Sequence, residues 1–283
     1  MHTPGNSLMD ATTRSLLVLA LGALACTTGR AGATITVPIM AQESVAPKWI
    51  LDQGKPQGMC ADLLAAIEQR DPRLHFTGYD RARSLGVIEQ GLERGSVWAA
   101  CALVESPVRR RIAVRASVPL YEARYRLAAL AGDTEAVADL DQLARRKVLI
   151  NTARGSGYIP VLKARGIEVD DSTGDSLVNL RKTLHGHGRY TYLNESSLFY
   201  YIRSARLEQQ LTVLPTVFDP GLVYFWISNK ADPALAPAIE AALQKLKASG
   251  ELARIYTRWT APDRLSRRQH FQSGNAGNNQ ANR

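Results

Sequence analysis

Residues 84–121, SLGVIEQGLERGSVWAACALVESPVRRRIAVRASVPLY, constrain the fold of this chain more than any other stretch. Leu85, Ile88 and Leu92 recur at helical spacing, and Gly95 stops the helix. A short apolar strand follows from Val97 to Val104, then a polar turn with the cluster Arg109, Arg110 and Arg111, then a second extended run ending in Ser-Val-Pro-Leu-Tyr. A helix, a buried strand and a turn that brings arginines to one end of that strand describe an anion-catching edge of an α/β sheet.

The flanking segments extend this pattern. ITVPIMA reads as a first strand, WILDQGKPQG as a hairpin-like turn, Asp62 to Gln69 as an amphipathic helix with Cys60 just before it, and LHFTGYD as a second strand. A β-α-β-α-β run of this kind predicts parallel strands with helices packed on the sheet. A change of register follows Tyr121, and a second β-α-β unit begins near residue 128. It holds the short helix DLDQLARR, the buried strand KVLINTA leading into Arg154-Gly155-Ser156-Gly157, two further helices (VLKARG and DSLVNLRKTLHG) and the strand RYTYLNE. LVYFWISNK returns as a strand, and PALAPAIEAALQKLKASG closes the chain as a long amphipathic helix with a further helical turn through Trp259. At 283 residues the chain has room for two lobes, predicted here as 34–127 with 222–261, and 128–221.

The N-terminus carries a targeting pattern. Arg14 precedes the apolar run SLLVLALGALAC, and Ala31-Gly32-Ala33 has the small-x-small form of a signal-peptidase site, so residues 1–33 are expected to be removed. A lipid anchor on Cys26 would call for leucine three residues earlier, where Ala23 stands. An uncleaved anchor helix is disfavoured by the shortness of the run and by Gly22. Cys60 and Cys101 remain after cleavage, and in an exported chain they are either a disulfide or two buried thiols. From Pro262 the composition falls to Arg, Gln, Asn and Gly, which predicts a disordered tail over 262–283. The formal charge of +9 comes with no zinc-finger spacing and no aromatic-basic platform, so no nucleic-acid partner is expected.

Several motifs recur in a familiar order across residues 34–261. Ala46-Pro47-Lys48-Trp49 precedes GKPQGMCADLL; SPVRRR precedes ASVP; Gly155-Ser156-Gly157 follows a strand; LHGHGRYTYLNE and LQKLKASGELARIYTRW come later. Together they resemble the family 3 periplasmic solute-binding proteins, and Tyr79-Asp80-Arg81-Ala82 is similar to a Trp-x-Arg-Ala motif of one proteobacterial branch. The resemblance implies a type II periplasmic-binding fold, α/β and two-lobed, each lobe a mainly parallel sheet flanked by helices. It further implies a periplasmic monomer without a cofactor. Such a protein closes by a hinge near 121–130 and 217–226 on a small, polar, amino-acid-like solute for a membrane transporter permease or a sensor. Three positions depart from the family pattern: Ser106 replaces a threonine, Thr191 an aspartate, and Glu195 is one place from the acid that takes a ligand amino group.

The candidate ligand contacts follow from chemistry and position. Arg109 or Arg110 can fork onto a carboxylate, and Arg81 lies between a strand and a helix. Gly155, Ser156 and Gly157 lead from a strand toward a helix, where backbone N–H groups can meet an anion. Trp49 could wall the ligand, and Glu195 could face a cationic group or an arginine. His185 and His187 lack a third ligand, so no metal is expected. No nucleophile elbow, zinc-protease helix or phosphate loop is present. An enzyme on the same fold, a dehydratase of cyclic acids with Glu195 as general acid, is the second reading. An accessory or sensory protein with an empty cleft is the third.

Overall fold

The computed structural model describes residues 33–133 and 135–261. Of the expected leader over 1–33, residues 1–32 with Cys26 lie outside the described residues, as does the expected tail over 262–283.

The chain begins with β1 (Ile35–Pro38), β2 (Ala41–Gln42) and a hairpin of β3 (Ile50–Asp52) and β4 (Lys55–Gln57). Next come α1 (Met59–Arg70), β5 (Leu74–Thr77), β6 (Ala82–Arg83), α2 (Leu85–Arg94) and β7 (Ala99–Val104). α3 (Pro107–Ile112) then leads into the long β8 (Ala113–Leu130). The second unit holds α4 (Leu140–Arg146), β9 (Ile150–Asn151), α5 (Ile159–Ala164), β10 (Val169–Asp170), α6 (Ser176–Leu184), β11 (Tyr190–Asn194), α7 (Glu195–Ser204) and β12 (Leu211–Val213). β13 (Phe218–Ser228) returns to the first unit, which α8 (Leu235–Ala248) and α9 (Glu251–Thr260) complete.

Parallel pairing occurs where the β-α-β pattern predicts it: β1 with β5, β9 with both β10 and β11, and Ile39 bridging to Ala99 at the start of β7. The centre differs. β13 runs antiparallel to β7 and β8, and β8 antiparallel to β11 and β12, because β8 leaves the first unit and β13 comes back into it. The expected break after Tyr121 is absent, since β8 is one strand of 18 residues. Its Ala116, Val118, Leu120 and Ala123 pack with α1, α8 and α9 in one core, while Leu127 and Ala129 pack with Leu143, Ile150 and Leu162 in another. The fold is therefore α/β and two-lobed, with β8 and β13 shared by both lobes.

Three local differences from the sequence reading shape the site. The arginine turn is a helix, α3, because the Ser106 hydroxyl accepts from the Arg109 N–H and Pro107 suits a first helical position. α7 replaces a simple strand end, with Asn194 capping it through the Ser196 N–H and Leu198 and Ile202 buried one turn apart. Cys60 lies inside the first turn of α1 and is disulfide-bonded to Cys101 of β7, with Cα atoms 6.0 Å apart. Among the described residues no helix is long and apolar enough to cross a membrane.

Candidate functional site

A cleft of about 130 Å³ lies where the two lobes meet, lined from one side by residues of β2, β7 and α3 and from the other by the 153–158 loop and the start of α7. β7 builds its first wall through an irregularity. Trp226 stands opposite Ala100 and Tyr224 opposite Leu103, so Cys101 and Ala102 together face the single residue Phe225. Ala102 absorbs the extra residue with φ 56°, a left-handed conformation unfavourable for a residue with a Cβ. Its carbonyl oxygen accepts from Lys48 Nζ at 3.2 Å, and Gln42 Oε1 accepts from the same ammonium at 2.6 Å. Burial and the Arg109 charge push the Lys48 ammonium down to about 7.

Arg109 stands beside it. Only 2% exposed, its guanidinium pairs with Glu89 of α2 at 2.9 Å and donates to the Val104 carbonyl. Burial lowers the arginine pKa, against the raising effect of Glu89. The buried Nε of Arg109 has no hydrogen-bond partner among the described residues. The 155–157 turn faces this arginine: a Cβ built on Gly157 would sit 3.9 Å from both terminal guanidinium nitrogens. Gly155 needs its φ of +76° to make the turn, which is closed by Ser156 N–H and Oγ both donating to the Ala153 carbonyl. The helix that the turn leads into, α5, starts only at Ile159 and has six residues, so the turn lies before its N-terminus.

Tyrosines fill the floor. Tyr121 and Tyr125 line the cleft; Tyr125 packs edge-on against Tyr158 at 4.9 Å, and burial drives the hydroxyl pKa of all three upward. The mouth is latched by two hydrogen bonds between lobes. Ser176 Oγ donates to the Ser44 carbonyl at 2.7 Å, and the Ala46 N–H donates to Tyr201 Oη at 3.2 Å.

Of the residues singled out from sequence, Arg109, Gly155, Ser156 and Gly157 come together on the cleft. The others lie elsewhere. Arg110 is exposed and pairs with Glu105. Trp49 is buried in the first core, its ring 5.9 Å from that of Tyr79, so it supports the loop behind Lys48 and does not wall a ligand. Arg81 is exposed in the bend before β6. Glu195 opens α7 and pairs with Arg126 at 2.5 Å and Arg124 at 3.7 Å, both on β8, which ties α7 to the sheet instead of facing solute. His187 pairs with Asp170, and no group of three metal-ligating side chains occurs among the described residues. Sequence reasoning missed Lys48, Gln42, Tyr125 and Glu89. For Lys48 the available sign was a lysine set between Pro47 and Trp49 in a segment otherwise suited to burial.

The family model of the bacterial extracellular solute-binding proteins, family 3, matches residues 37–262. A comparison with curated protein sequences finds no match. Among solved structures, a histidine kinase sensor domain with similarity to periplasmic binding proteins is 20% identical with a TM-score of 0.70, covering 81% of this chain and 97% of its own. An ancestral arginine-binding protein bound to arginine is 17% identical with a TM-score of 0.68, covering 79% and 97%. An ancestral amino-acid-binding protein described as a precursor of cyclohexadienyl dehydratase is 15% identical with a TM-score of 0.65, covering 80% and 95%. At these identities the structures speak for the fold, and the family match extends over most of the chain: this protein belongs to the bacterial extracellular solute-binding proteins, family 3.

Proposed function

We propose that the chain is an exported, periplasmic binding protein, cleaved after Ala33 and acting as a monomer. It captures a small polar solute of amino-acid size bearing a carboxylate, and presents it to a transporter or receptor. Its lobes are 34–127 with 222–261, and 128–221, and they close about β8 and β13 on the solute. The observation that carries this reading is the buried Arg109 on the cleft wall, with an Nε that has no partner among the described residues. A buried donor left unmatched costs free energy that a bound carboxylate would recover, and the guanidinium fork suits that anion. The dehydratase reading has less support, because Glu195 is engaged by Arg126 and Arg124 and does not line the cleft.

The test is a thermal-shift panel of amino acids, polyamines, small carboxylates and sugars on protein unfolded and refolded to strip bound solute. A ligand at a hundredfold excess over its Kd adds about 2.7 kcal/mol, readily seen as a raised Tm. The shift should fall sharply in Arg109→Lys, which keeps a charge against Glu89 but loses the fork. Silence across the panel, or a shift unchanged in Arg109→Lys, overturns the reading.

A further inference from the structure

The two cations of the cleft, the buried Arg109 and the half-buried Lys48, differ in how they are compensated. Arg109 has Glu89 at 2.9 Å. Lys48 has no carboxylate partner among the described residues; two neutral oxygens, Gln42 Oε1 and the Ala102 carbonyl, accept from its ammonium. An ammonium held among neutral acceptors beside a guanidinium suits an anion. The opposite charge is scarce: among the described residues that line the cleft, the one acid is Glu43, exposed at the mouth. Glu195, the residue that could have received a ligand amino group, is occupied on β8. A zwitterionic amino acid would thus place its ammonium near two cations and opposite no buried carboxylate.

Resting on the solute-binding reading above, we infer that the cleft selects a dianionic solute without an ammonium group, a short dicarboxylate. One carboxylate meets Arg109 and the 155–157 turn, and the other meets Lys48. The same geometry links binding to protons. Burial and Arg109 hold Lys48 at about 7 in the free protein, and a carboxylate against it favours the charged form, so binding above pH 7 takes up a proton. The other charged and titratable groups lining the cleft are Arg109, Arg154, Glu43 and the tyrosines Tyr121, Tyr125 and Tyr158, whose hydroxyl pKa burial raises.

The experiment is isothermal titration of the purified, refolded protein with succinate, glutarate and adipate against L-glutamate, L-glutamine and L-arginine, at pH 6.5 and 8.5. We expect one of the dicarboxylates to bind at least tenfold tighter than any of the amino acids. Its affinity should drop roughly tenfold or more between the two pH values, since one proton changes Kd about tenfold per pH unit above the free pKa. Lys48→Met should weaken that dicarboxylate at least tenfold, and Lys48→Arg should keep binding while losing the pH dependence. The pH series on the unmutated protein stands even where Lys48→Met fails to fold. An amino acid binding tighter than every dicarboxylate, or dicarboxylate binding independent of pH, overturns the inference. Amino-acid binding that is lost in Arg109→Lys overturns it while leaving the solute-binding reading intact; binding by none of the six compounds overturns the dicarboxylate inference, and the solute-binding reading falls only with silence across the wider panel.

Discussion

The Lys48 ammonium lies 3.2 Å from the carbonyl oxygen of Ala102, a residue held at a left-handed φ of 56° in the middle of β7. The strand's one irregular residue therefore supplies an acceptor to the cleft, a backbone arrangement that costs of order 1–3 kcal/mol and persists because its surroundings over-determine it. Substitution at this position separates backbone from packing. Ala102→Val, β-branched at positive φ, should lower stability by about 2 kcal/mol in urea denaturation, while Ala102→Gly should stay within about 1 kcal/mol of the parent. Equal losses in both variants would assign the cost to lost packing.

The disulfide has a reach beyond its own bond. Cys60 N–H donates to the Lys48 carbonyl at 3.0 Å, and Cys101 immediately precedes Ala102. Two of the contacts that hold Lys48, through its carbonyl to Cys60 and through its ammonium to Ala102, thus adjoin one cross-link. The link closes a sequence separation of 41 residues, for which loop entropy predicts about 4 kcal/mol. Replacing both cysteines by serine should lower unfolding free energy by about 2–4 kcal/mol and weaken solute binding, read by denaturation and titration. A variant of full affinity would show that Lys48 is held without the link.

The latch at the mouth predicts a kinetic effect. Ser176→Ala removes the bond to the Ser44 carbonyl, and Tyr201→Phe removes the acceptor of the Ala46 N–H. Each bond is worth about 1 kcal/mol, or roughly a fivefold change in Kd, if it forms only in the closed state. Stopped-flow measurements should show the loss as faster solute release with an unchanged on-rate. A change in stability of the empty protein with no change in release would mean the bonds persist when the cleft opens.

Asp170 predicts an acid sensitivity remote from the cleft. Lys182, Ser172 and His187 hold its carboxyl well below the usual carboxylate range, with Lys182 at 2.8 Å. A carboxyl whose folded pKa is depressed contributes stability that is present above its unfolded pKa of about 4 and is lost as pH falls toward the folded value. Asp170→Asn should cost about 2 kcal/mol at pH 7 and flatten the stability profile below pH 4, as followed by urea denaturation across pH. A parallel, merely displaced profile would remove Asp170 from the account.

How far the sequence disclosed this site depends on whether a residue's role is local. Gly95 ends α2 in a left-handed turn as its position implies, and Ser106 with Pro107 marks a helix start that makes Arg109 the buried member of the cluster. For Lys48 the sequence carries only its setting between Pro47 and Trp49, because its role depends on Gln42 and on a carbonyl 54 residues away. The irregularity at Ala102 carries no glycine to announce it. Pro119 and Glu122 resemble interruptions in an extended run, yet β8 continues through them: Pro119 sits opposite Tyr224 at a register shift, where a missing N–H is tolerated. α7 was hidden because its strand-favouring tyrosines outweigh the local cap at Asn194, whose side chain accepts from the Ser196 N–H.

Strands β8 and β13 pass from one core to the other as a hydrogen-bonded ladder, and their pairing skips between Phe218 and Gly221. Such a ribbon behaves as a torsion bar. It resists stretching and sliding, because either would break several ladder bonds at once, and it yields to twist where the register is irregular. The lobes are consequently not beads on a string, free to sample any mutual orientation. On the solute-binding reading proposed above, such a ribbon would channel the lobes toward a single rotation, and a partner reading the shut form would have to discriminate two ends of one arc.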